Sequence, residues 1–251
     1  MISKNKIKLI QSLSQKKFRD ETNLFVGEGT KLVLELADSF QCSILVTTAE
    51  WLGENKIIKA DEIIEVDEAG LKKISNQQSP QGVLAVFRKP VYKWNEEDLK
   101  TNLSLALDDV QDPGNLGTII RIADWFGIAD IFCSEHSVDA FNPKTVQATM
   151  GALSRVKVHT VNIIDFLKNL NHKVTVYGTF MNGENIYTQT LSENGIIVMG
   201  NEGNGISAEI EKYIDKRLLI PNFPIGQTTS ESLNVGVATA LVCAEFRRQI
   251  Q

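Results

Sequence analysis

The sequence predicts an α/β protein in two parts, the larger being a doubly wound, mostly parallel sheet. Two observations carry this. From residue 102 onward, short apolar runs alternate with helical stretches across short connections, the pattern of strand–helix units that feed a parallel sheet. The first ninety residues show a similar alternation on a smaller scale, and a polar, proline-bearing stretch without periodicity (RKPVYKWNEEDLK) follows them. The boundaries drawn are 1–90 for a small α/β domain, 91–101 for a linker and 102–251 for the sheet domain.

In the first part, Ile7, Leu9, Ile10 and Leu13 recur at helical spacing and predict an amphipathic helix over 4–13. A short strand at 24–26 leads through Gly27-Glu28-Gly29 to a helix at 30–37. Strands are predicted at 43–47, 63–66 and 82–87, with a short helix at 69–74. In the second part the strands fall at 103–107, 130–133, 156–160, 174–177, 196–199 and 218–220. The helices fall at 116–126, 144–153, 163–170 and 208–214, with a long last one at 231–248. No internal repeat or low-complexity segment is present.

Composition narrows the function classes. The chain has 251 residues, 43% hydrophobic and 23% charged, enough to bury a core in each of two domains. No apolar run approaches a membrane span, and the Lys-rich start lacks a signal-peptide core. Cys42, Cys133 and Cys243 are odd in number and widely spaced, which reads as buried thiols of a reducing cytoplasm. His136, His159 and His172 form no ligand motif, so no metal is expected. A net charge of −5 argues against a uniformly basic nucleic-acid binder. Residues 1–31 nevertheless hold Lys4, Lys6, Lys8, Lys16, Lys17, Arg19 and Lys31 against three acids, either a local basic surface or a solvated helix.

In a parallel sheet, ligand chemistry gathers at the carboxyl ends of the strands. Three predicted strand ends carry unusual residues. After 103–107 come Asp108 and Asp109, the turn Asp112-Pro113-Gly114-Asn115, and a helix with Arg121 six residues beyond Asn115. Such a corner presents backbone N–H groups to a ligand, or is an ordinary turn with Arg121 on a solvated face. After 196–199 comes Gly200-Asn201-Glu202-Gly203-Asn204-Gly205, whose glycines let a backbone approach a bound group. It is not a GxGxxG fingerprint. After 218–220 comes a polar loop ending in Glu231-Ser232-Leu233-Asn234, where Thr228 and Glu231 fit a capping box. The helix that follows is apolar but small (Val235-Gly236-Val237-Ala238-Thr239-Ala240). A partner subunit or a neighbouring loop must therefore pack close to its backbone.

Taken together, Asn115-x-Gly117-x-x-x-Arg121, Met199-Gly-Asn-Glu-Gly-x-Gly205, and Ile220-Pro221 followed by Glu231-Ser-Leu-Asn-Val235 resemble the three motifs of the SpoU (TrmH-type) RNA ribose 2′-O-methyltransferases of the SPOUT superfamily. Leu13…Lys16-Lys17-Phe18-Arg19 and Phe25-Val26-Gly27-Glu28-Gly29 resemble that family's ribosomal-protein-like substrate-binding domain. Two departures stand out: Gly236 stands where many members have a serine, and the loop 221–232 is longer than usual. The resemblance implies a deep trefoil knot, a homodimer with sites near the subunit interface, and S-adenosylmethionine held by loop backbone at Gly200, Ile220 and Leu233. Asn201, Gly205 and Ile225 join them as cofactor-binding candidates. It also places Asn115, Arg121, Glu202, Ser232 and Asn234 around one catalytic pocket.

The substrate implied is RNA, ribosomal before transfer RNA, with Lys16, Lys17 and Arg19 as candidate phosphate contacts. A guanidinium keeps its proton above about pH 12, so Arg121 is read as a phosphate clamp that acidifies the hydroxyl, not as a base. Two rivals remain open at this point. One is a non-catalytic RNA-binding protein of the same fold, against which stands the joint presence of all five polar residues. The other is a nucleotide-dependent oxidoreductase, against which stands the missing fingerprint.

Overall fold

The computed structural model describes residues 2–56, 58–170, 174–224 and 232–250. The chain divides into two compact units, Met1–Val91 with Asp139–Arg155, and Tyr92–Val138 with Val156–Gln251.

The first unit runs α1 (Lys4–Ser12), α2 (Lys16–Thr22), β1 (Leu24–Glu28), α3 (Thr30–Ala37), β2 (Cys42–Thr47), α4 (Ala49–Glu54), β3 (Ala60–Glu65), α5 (Glu68–Lys72) and β4 (Val83–Arg88). Its four-stranded sheet has the order β1-β4-β2-β3, and only the β2–β3 pair is parallel. Both faces are covered, which is why β1 and β4 read as continuous apolar runs. On one face Val26, Ile44, Val46, Leu84 and Val86 meet Ile10, Leu13, Leu71 and Ile74. On the other, Phe25 packs with Phe40, Phe87 and Phe141 at ring-centroid distances of 4.9–5.5 Å.

Phe141 comes from the returning segment Asp139–Arg155, which the sequence reading had assigned wholly to the second part. That segment carries α8 (Pro143–Thr149) and belongs with the first unit because its aromatic and polar anchors lie there. The helix expected over 144–153 ends at Thr149, since Met150 and Gly151 both adopt left-handed backbone, with φ of 51° and 95°.

Arg19 also departs from expectation. Its side chain is buried, donating through Nε to Asp139 at 2.8 Å and through Nη1 to the carbonyls of Leu13 and Ser14 at 2.9 and 3.0 Å. It cannot reach an RNA phosphate, and so is withdrawn as a contact. A buried guanidinium is tolerated only when its donors are met by a carboxylate and carbonyls.

The second unit runs α6 (Glu96–Leu99), β5 (Leu103–Leu107), α7 (Pro113–Trp125), β6 (Asp130–Ser134), β7 (Lys157–Val161), α9 (Ile163–Lys168), β8 (Val176–Asn185), β9 (Gly195–Met199), α10 (Ala208–Glu211), β10 (Lys216–Leu219) and α11 (Val235–Arg248). Its sheet is parallel throughout, in the order β10-β8-β9-β5-β6-β7. Helices cover both faces. Phe166, Leu167 and Ile210 pack on Ala106, Phe132, Val176 and Val198, while Phe246 of α11 stands edge-on to Tyr177 from the opposite face, 4.8 Å away. Residues 91–101, expected to be a linker, hold α6, and Trp94 packs on Phe132 and Phe166 at 5.8 and 5.2 Å.

The last helix begins at Val235, later than expected. Asn234 caps it, its side-chain oxygen accepting from the N–H groups of Gly236 and Val237. The proposed capping box at Thr228 and Glu231 lies outside the described residues.

Arg19→Ala strands Asp139 in a buried setting, and removing one partner of such a pair costs about 3–5 kcal/mol. Urea unfolding is expected to show that loss, while Lys17→Ala changes stability by less than about 0.5 kcal/mol.

Candidate active site

Between β5 and β9 the connections run to opposite sides: β5 leads to β6 and β7 on one side, and β9 leads to β10 on the other. Open parallel sheets bind ligands at the carboxyl ends of the strands beside such a reversal. Here the loops after Leu107 and Met199 leave the sheet side by side. Asp108 extends the pairing through its N–H to the Met199 carbonyl at 2.9 Å, and its half of the acidic pair is buried, accepting from the Ser207 N–H at 2.8 Å.

The glycine-bearing loop is folded tightly on itself. The backbones of Asn201 and Gly205 exchange two hydrogen bonds of 2.9 Å each, and Asn201 Oδ1 accepts from Gly203 and Asn204. The Asn201 amide donates to the Asp109 carbonyl at 2.8 Å. Glycine is required at position 200 because a Cβ there would sit 2.1 Å from the Gly205 carbonyl carbon.

Three loops meet through one relay of side chains. Asn234, fixed by accepting two backbone N–H groups, turns its amide toward Asn115 and donates to Asn115 Oδ1 at 2.8 Å. Asn115 in turn donates to Glu202 Oε1 at 2.8 Å. The orientation of both amides follows from the ends of the relay, since a carboxylate only accepts and the helix N–H groups only donate. Asp112 sets the start of α7, accepting from the Asn115 N–H at 2.8 Å, with Pro113 in the first turn.

Beside the relay lies a cavity of about 670 Å³, within the range of small-molecule sites. Gly200, Asn201, Glu202, Gly205, Ile220, Ser232 and Leu233 all line it. Asn115 and Asn234 stand behind Glu202 and join its wall to two helix starts. Arg121 is not part of the lining; it is exposed on α7, nearly two turns after Asn115. Ile225 lies outside the described residues. Thr179, Phe180, Met181 and Glu211, which the sequence does not single out, also line the cavity. Thr179, Phe180 and Met181 reach it because β8 runs on well past Tyr177, and Glu211 because it ends α10.

Among its described lining residues the cavity has two carboxylates, Glu202 and Glu211, and no Lys, Arg or His. That suits a ligand with positive charge and disfavours a dinucleotide, whose pyrophosphate needs cations or a helix-terminal nest. Among the described residues no group of three or more His, Cys, Asp or Glu side chains is placed to hold a metal ion.

Comparison with known proteins agrees with this geometry. Residues 102–244 match the model of the SpoU rRNA methylase family, and residues 4–85 match that of the MRM3-like substrate-binding domain. The chain is 34% identical to the 23S rRNA (guanosine(2553)-2′-O)-methyltransferase RlmP of Bacillus subtilis over 247 residues, covering 96% of each. A TrmH-family protein from Porphyromonas gingivalis superposes with a TM-score of 0.90 at 41% identity, over 99% of both chains. An AdoMet-bound rRNA methyltransferase from Sinorhizobium meliloti superposes at 0.85 and 30% identity, over 100% of this chain and 97% of that one.

The relay predicts a separable effect. Asn234→Ser keeps an oxygen at the helix cap and holds stability within about 1 kcal/mol, but loses the amide that reaches Asn115. Hydrogen exchange is expected to show faster exchange of the Gly203 and Asn204 amides in that variant, with the unfolding midpoint little changed. Three loops meeting at one reversal of a parallel sheet, and a match across both parts of the chain, place it in the SpoU methylase family.

Proposed function

We propose that the chain is an S-adenosylmethionine-dependent methyltransferase acting on a ribose 2′-hydroxyl of ribosomal RNA. The observation that carries this is the acid-lined cavity at the ends of β8, β9 and β10, to whose Glu202 the loop after β5 is joined through Asn115. Two of the relatives named above, from Bacillus subtilis and Sinorhizobium meliloti, are rRNA methyltransferases, and the latter was solved with AdoMet bound. The site fits that cofactor: a cradle formed by Gly200, Asn201, Gly205, Ile220 and Leu233, with the Glu202 carboxylate beside it held by a neutral amide.

S-adenosylmethionine supplies an electrophilic methyl group on a sulfonium. The chain's own residues do the rest. Glu202, held by Asn115, keeps a negative wall in a fixed position, and a fixed charge is worth more than one that must reorganise. Ser232 offers a hydroxyl at the same wall. Arg121 binds the phosphate next to the target ribose through its fork of donors and makes the neighbouring hydroxyl more acidic. An arginine side chain is a ligand for phosphate and not a proton acceptor, so the hydroxyl proton would pass to phosphate or water. Holding both partners in line contributes much of the rate.

The family's deep trefoil knot and homodimer belong to the same proposal. For the homodimer the support is a face shared by α7 and α11, which lie side by side: Gly236 faces Thr118, and Arg247 donates to the Phe126 carbonyl at 2.8 Å. Trp125 on α7 is 85% exposed, and Val237 and Leu241 on α11 are exposed as well. A second copy covering these apolar groups would enclose Arg121 in an interface. In the first unit, Lys16 and Lys17 are exposed on α2 and serve as RNA phosphate contacts, exchanging their present partners Asp20 and Glu21 for phosphate. A cytoplasmic setting accords with the buried thiols Cys42, Cys133 and Cys243, none of them in a disulfide; burial pushes the Cys42 and Cys243 thiols up to about 12. No helix among the described residues is long and apolar enough to cross a membrane.

Calorimetry is expected to show S-adenosylmethionine binding and no NAD binding, and labelled methyl groups are expected to enter ribosomal RNA from cells lacking the gene. Ribose-methylation mapping in cells with and without it then identifies the nucleotide. Uptake of NAD, or no methyl transfer to RNA, defeats the proposal. Arg121→Lys keeps the charge but loses the bidentate fork, and turnover is expected to fall at least about tenfold. Trp125→Asp is expected to shift the species seen in sedimentation from dimer to monomer.

A further inference from the structure

We propose that Arg217 is a positioning residue for the cofactor cavity, clamping the Phe180 ring and with it residues 179–183 as the cavity's outer wall. The inference rests on the reading of this cavity as the S-adenosylmethionine site. β8 pairs with β10 at Tyr177 and Gly178 and resumes only at Glu184 and Asn185, opposite the next step of β10. Residues 179–183 therefore leave the ladder, and a segment without ladder bonds must be held by other contacts.

Two kinds of contact hold it. At its ends the backbone is pressed close: a Cβ on Gly178 would lie 2.7 Å from the Phe180 ring and 3.1 Å from Ile206, and one on Gly183 would lie 2.6 Å from the Leu218 backbone. Between the ends stands Arg217. Its guanidinium carbon lies 3.7 Å from the Phe180 ring centroid, Nη2 donates to Asn182 Oδ1 at 2.6 Å, and Nη1 pairs with the Glu211 carboxylate of α10. A planar guanidinium stacks and donates from its edge at once, which an ammonium cannot do.

The consequence falls on the cavity. Thr179, Phe180 and Met181 all line it, and Met181 is 66% exposed. Glu211 also lines it, with its charge met by Arg217. The clamp thus gives the cavity a preformed apolar wall, and a wall ordered beforehand costs nothing to order when the ligand arrives.

Isothermal titration of S-adenosylmethionine into the full chain tests this. Arg217→Ala and Phe180→Leu are each expected to raise the Kd about tenfold, and the double variant about tenfold as well, because the two side chains act as one unit. Gly178→Ala leaves Arg217, Glu211 and Asn182 in place but drives a methyl group into the ring. It is expected to raise the Kd similarly, and carries the test if Arg217→Ala does not fold. With ribosomal RNA as acceptor, KM for S-adenosylmethionine rises in parallel while kcat stays within about twofold. An unchanged Kd in the single variants, an additive rise of about a hundredfold in the double, or a fall in kcat at constant KM overturns the clamp. A wild-type chain that takes up no S-adenosylmethionine overturns the reading of the cavity and the clamp with it.

Discussion

A parallel sheet that reverses its strand order leaves a gap at the reversal, and the loops around that gap must be tied together without filling it. In this protein the tie is the relay from the α11 cap through Asn234 and Asn115 to Glu202. Each neutral link is worth about 0.5–1.5 kcal/mol, and the one ending on the carboxylate about 1.5–3 kcal/mol. Those values are small beside the hydrophobic core. Their importance is directional, because they join the starts of two helices to a third loop in one arrangement.

The relay also settles where charge can sit. Glu202 is held by a neutral amide, so its negative charge is oriented but not cancelled. Glu211, on another side of the cavity, is met by Arg217. The ligand cavity is thereby acidic, in a chain whose net charge is −5. Arg121 on α7 and Lys16 and Lys17 on α2 are exposed cations outside the cavity lining. Keeping acidic and basic groups on separate surfaces avoids asking one surface to attract opposite charges.

The first unit shows the opposite use of charge. Arg19 is spent inside, on Asp139 and two carbonyls. Glu28, also buried, accepts from the Ser75 hydroxyl and from the backbone and side-chain N–H groups of Asn76. Both are polar anchors for turns that the sheet alone does not hold. Buried and fully partnered, they define one arrangement of the chain around them.

Local pattern carried much of this molecule. The strands at 103–107, 130–134 and 195–199, and the helix at Thr30–Ala37, follow directly from period and apolar content, because a buried parallel strand and an amphipathic helix leave unmistakable spacings. Asn115, Glu202 and Asn234 were legible as polar residues at strand ends, and the resemblance of three motifs joined them. What no local pattern holds is which partner a side chain meets. Arg19 and Lys16 lie three residues apart in the same basic stretch, yet one is buried against a carboxylate 120 residues away and the other is exposed. Asp139–Arg155 joins the first unit, Phe180 reaches the cavity, and Arg217 lies over Phe180, all through contacts between distant segments. Sequence alone determined the elements and the chemistry available at their ends. Tertiary structure alone decided which of those groups face each other, because burial and pairing depend on the packing of elements far apart in the chain.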